Sequence, residues 1–209
     1  MTFAQRVHDE MMSEIGATHV TIPLATYVAR STAADPAAMA RSVRLASLHV
    51  AVRISGATLP APVPLTLLDA AGSGWLGSLD DDEGPAVAFA YAFAATAGCA
   101  YEAASARPGV VHLSVGAMDG ELRAIAQRAM PAGIRLRRPD VLAEVVYKTH
   151  SLLMLADLMP AIVLIAVGMD IGDEPSPSVI DKTIAAAVGG RPALASLQSA
   201  VRTWIRDLW

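Results

Sequence analysis

Two aspartates that each follow an apolar run are the residues of this sequence best placed to take part in a reaction. Asp119 comes after the β-branched run at 110–115, and Asp170 comes after the run at 162–167. Ligands of open α/β sheets gather beyond the carboxyl ends of the strands, where such acids could move a proton or hold a hard cation. His112, within the first run, is the third catalytic candidate. The commoner role of an aspartate after a turn is to cap the next helix.

Motifs for a cofactor or a metal are weak. The five histidines include no pair at helical i, i+4 spacing, and Cys99 is the single cysteine. The glycine-rich segment 67–77 resembles the strand-to-glycine loop of methyltransferases, but its glycines follow Asp69 at different intervals from that family's pattern. The acidic run 80–83 comes next, and it would repel a phosphate or carboxylate. We therefore expect no cofactor and no metal.

The elements that would position these residues alternate between strands and helices. Alternating apolar residues predict a strand over 48–54, and continuous apolar runs predict strands over 65–68, 110–115 and 162–167. Capping signals and apolar stripes predict helices that begin near 36, 85, 119, 139, 178 and 191. The sequence thus predicts a mixed α/β fold in which helices pack around a central sheet. We expect one domain over 1–209, with a possible internal boundary in the turn-rich loop 69–84.

Charge and hydropathy exclude several classes of protein. Charged residues make up 17% of the 209 residues, apolar residues 54%, and the formal net charge is −4. A surface of this kind is not expected to capture nucleic acid, so we expect no sequence-specific nucleic-acid binding. Asp157 and Pro160 interrupt the most apolar stretch, which argues against a membrane span. The first residues have no signal-peptide pattern, so a cytoplasmic location is expected.

Composition favours a protein that associates with itself. The chain is rich in alanine and valine and poor in charge, as the centres of subunit interfaces are. The leading hypothesis is a non-enzymatic, self-assembling structural protein, such as a coat or shell subunit, that forms a homo-oligomer. The interface candidates lie on or just after the last predicted helix: Leu197, Val201, Trp204, Leu208 and Trp209.

Two other functions remain open from the sequence. One is a small-molecule-binding α/β enzyme that uses the strand-end carboxylates of Asp119 and Asp170. The other is an adaptor or immunity-type protein that binds one partner through the acidic loop at 80–83. Neither hypothesis comes with a motif that names a substrate or a partner.

Overall fold

Helices are the regular secondary structure of the part of the chain that the structure describes, which comprises residues 36–80, 83–106, 158–170 and 175–208 of a computed structural model. A 3₁₀ turn at Trp75–Ser78 lies between the second and third helices. The helices are α1 (Pro36–Ser55), α2 (Leu67–Gly72), α3 (Glu83–Ala106), α4 (Leu158–Asp170), α5 (Pro177–Val188) and α6 (Arg191–Leu208).

The predicted α/β fold is wrong for this part of the chain, because the described residues form a helical bundle without a sheet. The segment 48–54, predicted as a strand, is the second half of α1, and the segment 162–167 is the middle of α4. The predicted strand at 65–68 runs into α2. Each β-branched residue costs a helix only about 0.5 kcal/mol relative to alanine. Burial of apolar side chains on several sides of these helices outweighs that cost.

Four helix predictions are confirmed. The helix expected from residue 36 begins at Pro36, and the helix expected over 85–106 is α3. The pair expected from 178 and 191 is α5 and α6, separated by Gly189 and Gly190. The predicted strand at 110–115, the helix expected from 119 and nearly all of the helix expected from 139 lie outside the described residues.

The core is built around α1 and α3. Every side chain of α3 from Val87 to Ala97 is at most 1% exposed, including three aromatic rings among six alanines. The helix is therefore surrounded on all sides, as expected of a helix that is apolar all round. Helix α1 contacts α3, α4, α5 and α6, so it links the amino-terminal and carboxyl-terminal helices of the described part.

The connection between α1 and α3 is held at both ends. Gly56, with a φ of +83°, ends α1 and donates its N–H to the carbonyl of Val52 at 2.9 Å. At the other end, Glu83 donates its N–H to Oδ1 of Asp80 at 2.8 Å, which is the cap that begins α3. The peptide bond between Ala61 and Pro62 is cis. The loop predicted over 69–84 therefore contains a short helix, a 3₁₀ turn and a helix cap.

Candidate interaction surface

Side-chain hydrogen bonds hold α5 and α6 against the end of α1. The guanidinium of Arg53 donates from Nε to Oδ1 of Asp181 at 2.7 Å, and its Nη2 donates to Oδ2 of the same carboxylate. The hydrogen bond with Asp181 raises the pKa of Arg53 further above its ordinary value. Gln198 of α6 donates to the carbonyl of Arg53 at 3.1 Å. These bonds join three helices at the carboxyl-terminal end of α1.

Helix α6 has a clear inward face. Leu194, Val201 and Ile205 are at most 6% exposed and lie in the core. The ring of Trp204 meets the ring of Phe89 edge-on, with centroids 5.9 Å apart. This packing determines which residues of α6 point away from the bundle.

An open groove of about 740 Å³ runs along the outer side of α6. Its floor includes the partly exposed side chain of Trp204, which lies beside the hydroxyl groups of Ser199 and Thr203 on the same helix. The other residues that line it are small or polar: Ala195, Ser196, Ser199, Ala200, Thr203 and Asp207. Small side chains allow another chain segment to come close, and the hydroxyls can donate or accept hydrogen bonds.

Helix α4 presents a second surface, and this one is apolar. No charged residue occurs from Leu158 to Met169, and the inward side chains of α4 are almost fully buried. On the outward side, Leu164 is 65% exposed, with Pro160 one turn before it and Val167 about one turn after it. An ordinary surface helix carries polar residues on this side. We call Pro160, Leu164 and Val167 the α4 stripe.

Tyr91 anchors the proline-rich connection to α3. Its hydroxyl donates to the carbonyl of Pro64 at 3.2 Å. Burial in the core raises the pKa of Tyr91 to about 12, and the negative charge of Asp69 adds to the increase. The phenol therefore keeps the proton that it donates to Pro64 to a higher pH than a tyrosine in water does.

Of the three catalytic candidates, the part of the chain that the structure describes contains Asp170 alone. Asp119 and His112 lie outside the described residues. Asp170 is the last residue of α4, so it ends a helix and does not follow a strand. The strand-end geometry from which these three residues were inferred is therefore absent at Asp170.

Three of the five interface candidates pack within their own chain. Val201 is 3% exposed, and Leu197 and Trp204 are partly buried against the same core. Only Trp204 of these also reaches the groove. Trp209 and the side chain of Leu208 lie outside the described residues. Their contact with a second copy stays a prediction.

Sequence reasoning missed the α4 stripe, because residues 162–167 were interpreted as a strand covered on both faces. The signal that could have found it is the helical spacing of Pro160, Leu164 and Val167 within a run without charge. It also missed the link between Arg53 and Asp181, because a pair so distant in the chain leaves no local pattern.

No protein-family model, curated protein or solved structure matches this chain. Within the described ranges, no three His, Cys, Asp or Glu side chains lie together as a metal site would need. In the same ranges, no helix combines the length and the hydropathy needed to cross a lipid bilayer.

Proposed function

We propose that this protein is a self-associating structural protein and that the α4 stripe is the apolar centre of the contact between copies. The observation that carries the proposal is the 65% exposure of Leu164 in a helix with no charged residue before Asp170. Burying a leucine side chain fully is worth about 1.5–3 kcal/mol. A second copy that covers Leu164 would recover much of this energy.

The size of the stripe limits what it can do alone. A helix of 13 residues is about 20 Å long, whereas a stable interface buries roughly 800 Å² on each partner. The stripe therefore serves as the centre, and neighbouring elements supply the rim. Val179, near the start of α5, is 48% exposed and lies on a helix that contacts α4, so it is the first candidate for that rim.

The test is the solution mass of the purified chain by light scattering across a wide range of concentrations. We expect a discrete assembly for the wild type and a shift towards the single-chain mass for Leu164→Glu. Ala186→Glu is the matched control, because it adds the same charge at another exposed position, on α5. A circular dichroism melt of each variant separates loss of association from loss of folding.

Two results would overturn the proposal. One is a wild-type mass equal to a single chain at every concentration. The other is equal assembly by Leu164→Glu and the wild type, because a buried glutamate at the centre of an interface could not be tolerated without a partner. The enzyme hypothesis assumed that Asp119 and Asp170 follow strands, but Asp170 ends a helix, and Asp119 lies outside the described residues.

A further inference from the structure

The outer side of α4 carries a protruding side chain and an open space one helical turn apart. Leu164 is 65% exposed and is the most exposed large apolar side chain among the described residues. Gly168 follows four residues later, and a Cβ at this glycine would meet nothing within 4 Å. Residues four apart lie about 40° from each other around a helix, so the two share one side of α4. Leu164 thus forms a knob, and the surface above Gly168 forms a hole that can receive one.

The spacing of the knob and the hole makes this surface complementary to itself. A two-fold axis at the height of Ala166 places Leu164 of one copy opposite Gly168 of the other, and the reverse. In a contact of this symmetry, residue i meets residue j while j meets i, so both knobs fill both holes. A second copy of this chain therefore supplies, in one orientation, both the side chain that fits over Gly168 and the space that accepts Leu164.

The charges of α4 favour the antiparallel orientation that such an axis gives. A helix carries partial positive charge at its amino-terminal end and partial negative charge at its carboxyl-terminal end. Two antiparallel α4 helices place opposite ends together, whereas a parallel pair places like ends together. No lysine, arginine, aspartate or glutamate occurs from Leu158 to Met169, so the contact removes no charged side chain of this segment from water.

The area of this side of the bundle fits a reversible pair of copies. Helix α4 and its neighbour α5, which exposes Val179, are each about 20 Å long. Neighbouring helix axes lie about 8–10 Å apart, so the two helices together present roughly 400 Å². Interfaces that bury less than about 1,200 Å² in total are typical of weak or transient complexes. The pair should therefore form and separate as the protein concentration changes.

We propose that α4 packs antiparallel against α4 of a second copy across a two-fold axis, with Leu164 of each copy seated over Gly168 of the other. The pairing rests on the proposed function, to which it adds the orientation of the partner and the residues that meet. A two-fold contact joins identical surfaces, so it closes on itself and stops at two copies. A larger assembly then needs a second surface.

Two single variants test the fit from opposite sides. Gly168→Leu fills the hole, and we expect the resulting clash to weaken pairing at least about tenfold. The fold of this variant should not suffer, because the position has free space and a φ outside the left-handed region. Leucine also favours a helix over glycine, so a circular dichroism melt should show Tm raised by about 2 °C. Leu164→Ala removes the knob and should also weaken pairing about tenfold.

The deciding measurement is light scattering on an equimolar mixture of these two variants across a range of concentrations. In the mixed pair, Leu164 of the Gly168→Leu copy meets Gly168 of the Leu164→Ala copy. At the other contact, the introduced leucine meets the introduced alanine, so both contacts again join a large side chain to a small one. We expect the mixture to pair about tenfold more tightly than either variant alone.

A matched control adds a leucine elsewhere. Ala195→Leu places it at an exposed position of α6, and mixing this variant with Leu164→Ala should not restore pairing. Restoration by the control as well would mean that added apolar surface, and not the fit of Leu164 over Gly168, drives the association. That result would overturn the antiparallel pairing.

The remaining outcomes separate this inference from the proposed function. If Leu164→Glu abolishes assembly but Gly168→Leu assembles as the wild type does, α4 lies at the interface in another orientation, and only the antiparallel pairing is wrong. The same conclusion follows if Gly168→Leu and Leu164→Ala both pair weakly and their mixture pairs no better. A wild type that stays a single chain at every concentration overturns both proposals.

Discussion

Arg53 and Asp181 form a bidentate ion pair across 128 positions of the chain, and it joins the end of α1 to the first half of α5. Its two side chains are 37% and 33% exposed, so solvent weakens the attraction. The forked geometry nevertheless fixes a single orientation of the two helices.

Removal of one partner should destabilise the fold modestly. We expect Asp181→Ala to lower the free energy of unfolding by about 1 kcal/mol, because a charge-assisted bond is lost at a half-exposed site. Urea unfolding at low salt would measure this change. The matched control is Asp207→Ala, whose carboxylate lies 3.9 Å from the neighbouring Arg206 in a far more exposed pair. An equal decrease in the free energy of unfolding for both variants would mean that the pair with Arg53 stabilises the fold no more than an exposed pair does.

Tyr91 should make the protein less stable at high pH. Its pKa is raised to about 12 from an ordinary value near 10, so the native state keeps the phenolic proton after the unfolded chain has lost it. This stabilising contribution is complete below pH 10 and is lost as the pH rises towards 12. The expected loss is about 2 kcal/mol.

The measurement is the free energy of unfolding between pH 9 and pH 12 for the wild type and Tyr91→Phe. The difference between the two removes the effect of every other group that titrates in this range. We expect the stability of the wild type relative to Tyr91→Phe to fall by about 2 kcal/mol over this range. Absorbance titration should also show a tyrosine component near pH 12 in the wild type that is missing in Tyr91→Phe. If the free energies of unfolding of the two proteins differ by the same amount at every pH, the pKa of Tyr91 is not raised in the folded state.

Gly189 should resist replacement for a reason of backbone conformation. Its φ is +97°, and the N–H of Gly190 bonds to the carbonyl of Ala185 at 2.6 Å, which closes α5 before α6 begins. A Cβ at this position would meet nothing within 4 Å, so any cost comes from the left-handed backbone. We expect Gly189→Ala to cost about 1–2 kcal/mol.

Gly72 provides the control for that experiment. A Cβ there also has free space, but its φ is not in the left-handed region. Thermal melts should show Gly72→Ala close to the wild type and Gly189→Ala with a lower Tm. A similar decrease in Tm for both would mean that the left-handed turn is not what constrains Gly189.

The contact between α1 and α3 should tolerate one added methyl group but not a larger side chain. A Cβ on Gly98 would lie 4.0 Å from Cγ of Arg44, an ordinary contact, and alanine favours the helix. We expect Gly98→Ala to raise stability by about 0.5–1 kcal/mol. Ala94 is fully buried, so Ala94→Leu should cost about 1–3 kcal/mol. Denaturant midpoints of the two variants should move in opposite directions.

Helix ends were predictable from the sequence, but the helical state of two apolar runs was not. Asp35 before Pro36, and the glycines at 189 and 190, are local signals, and the structure begins and ends helices there. Apolar and polar residues alternate over 48–54, which is typical of a strand. Because α1 contacts other helices on several sides, apolar residues also occupy positions that are polar in a half-exposed helix. Arg53 looked like the wet side of a strand, whereas its charge is matched by Asp181.

The candidate surface was only partly predictable for a related reason. The apolar residues of α6 were recognised, but periodicity alone does not say whether they face the core or a second copy. Val201 faces the core, while Leu164, expected to be covered, is exposed. The distinction depends on which helices surround each element, and that is a property of the whole bundle.

The burial of α3 on every side has a consequence for how the chain is made. Ribosomes add roughly 5–20 residues per second, so α3 leaves the exit tunnel on the order of 5–20 s before the last helix does. During that interval α1 lacks α4, α5 and α6, and α3 lacks its contact with α6. The nascent polypeptide therefore exposes apolar alanine and phenylalanine side chains of α3. The yield of folded protein in the cell should depend on chaperones that cover these side chains until α6 has been made.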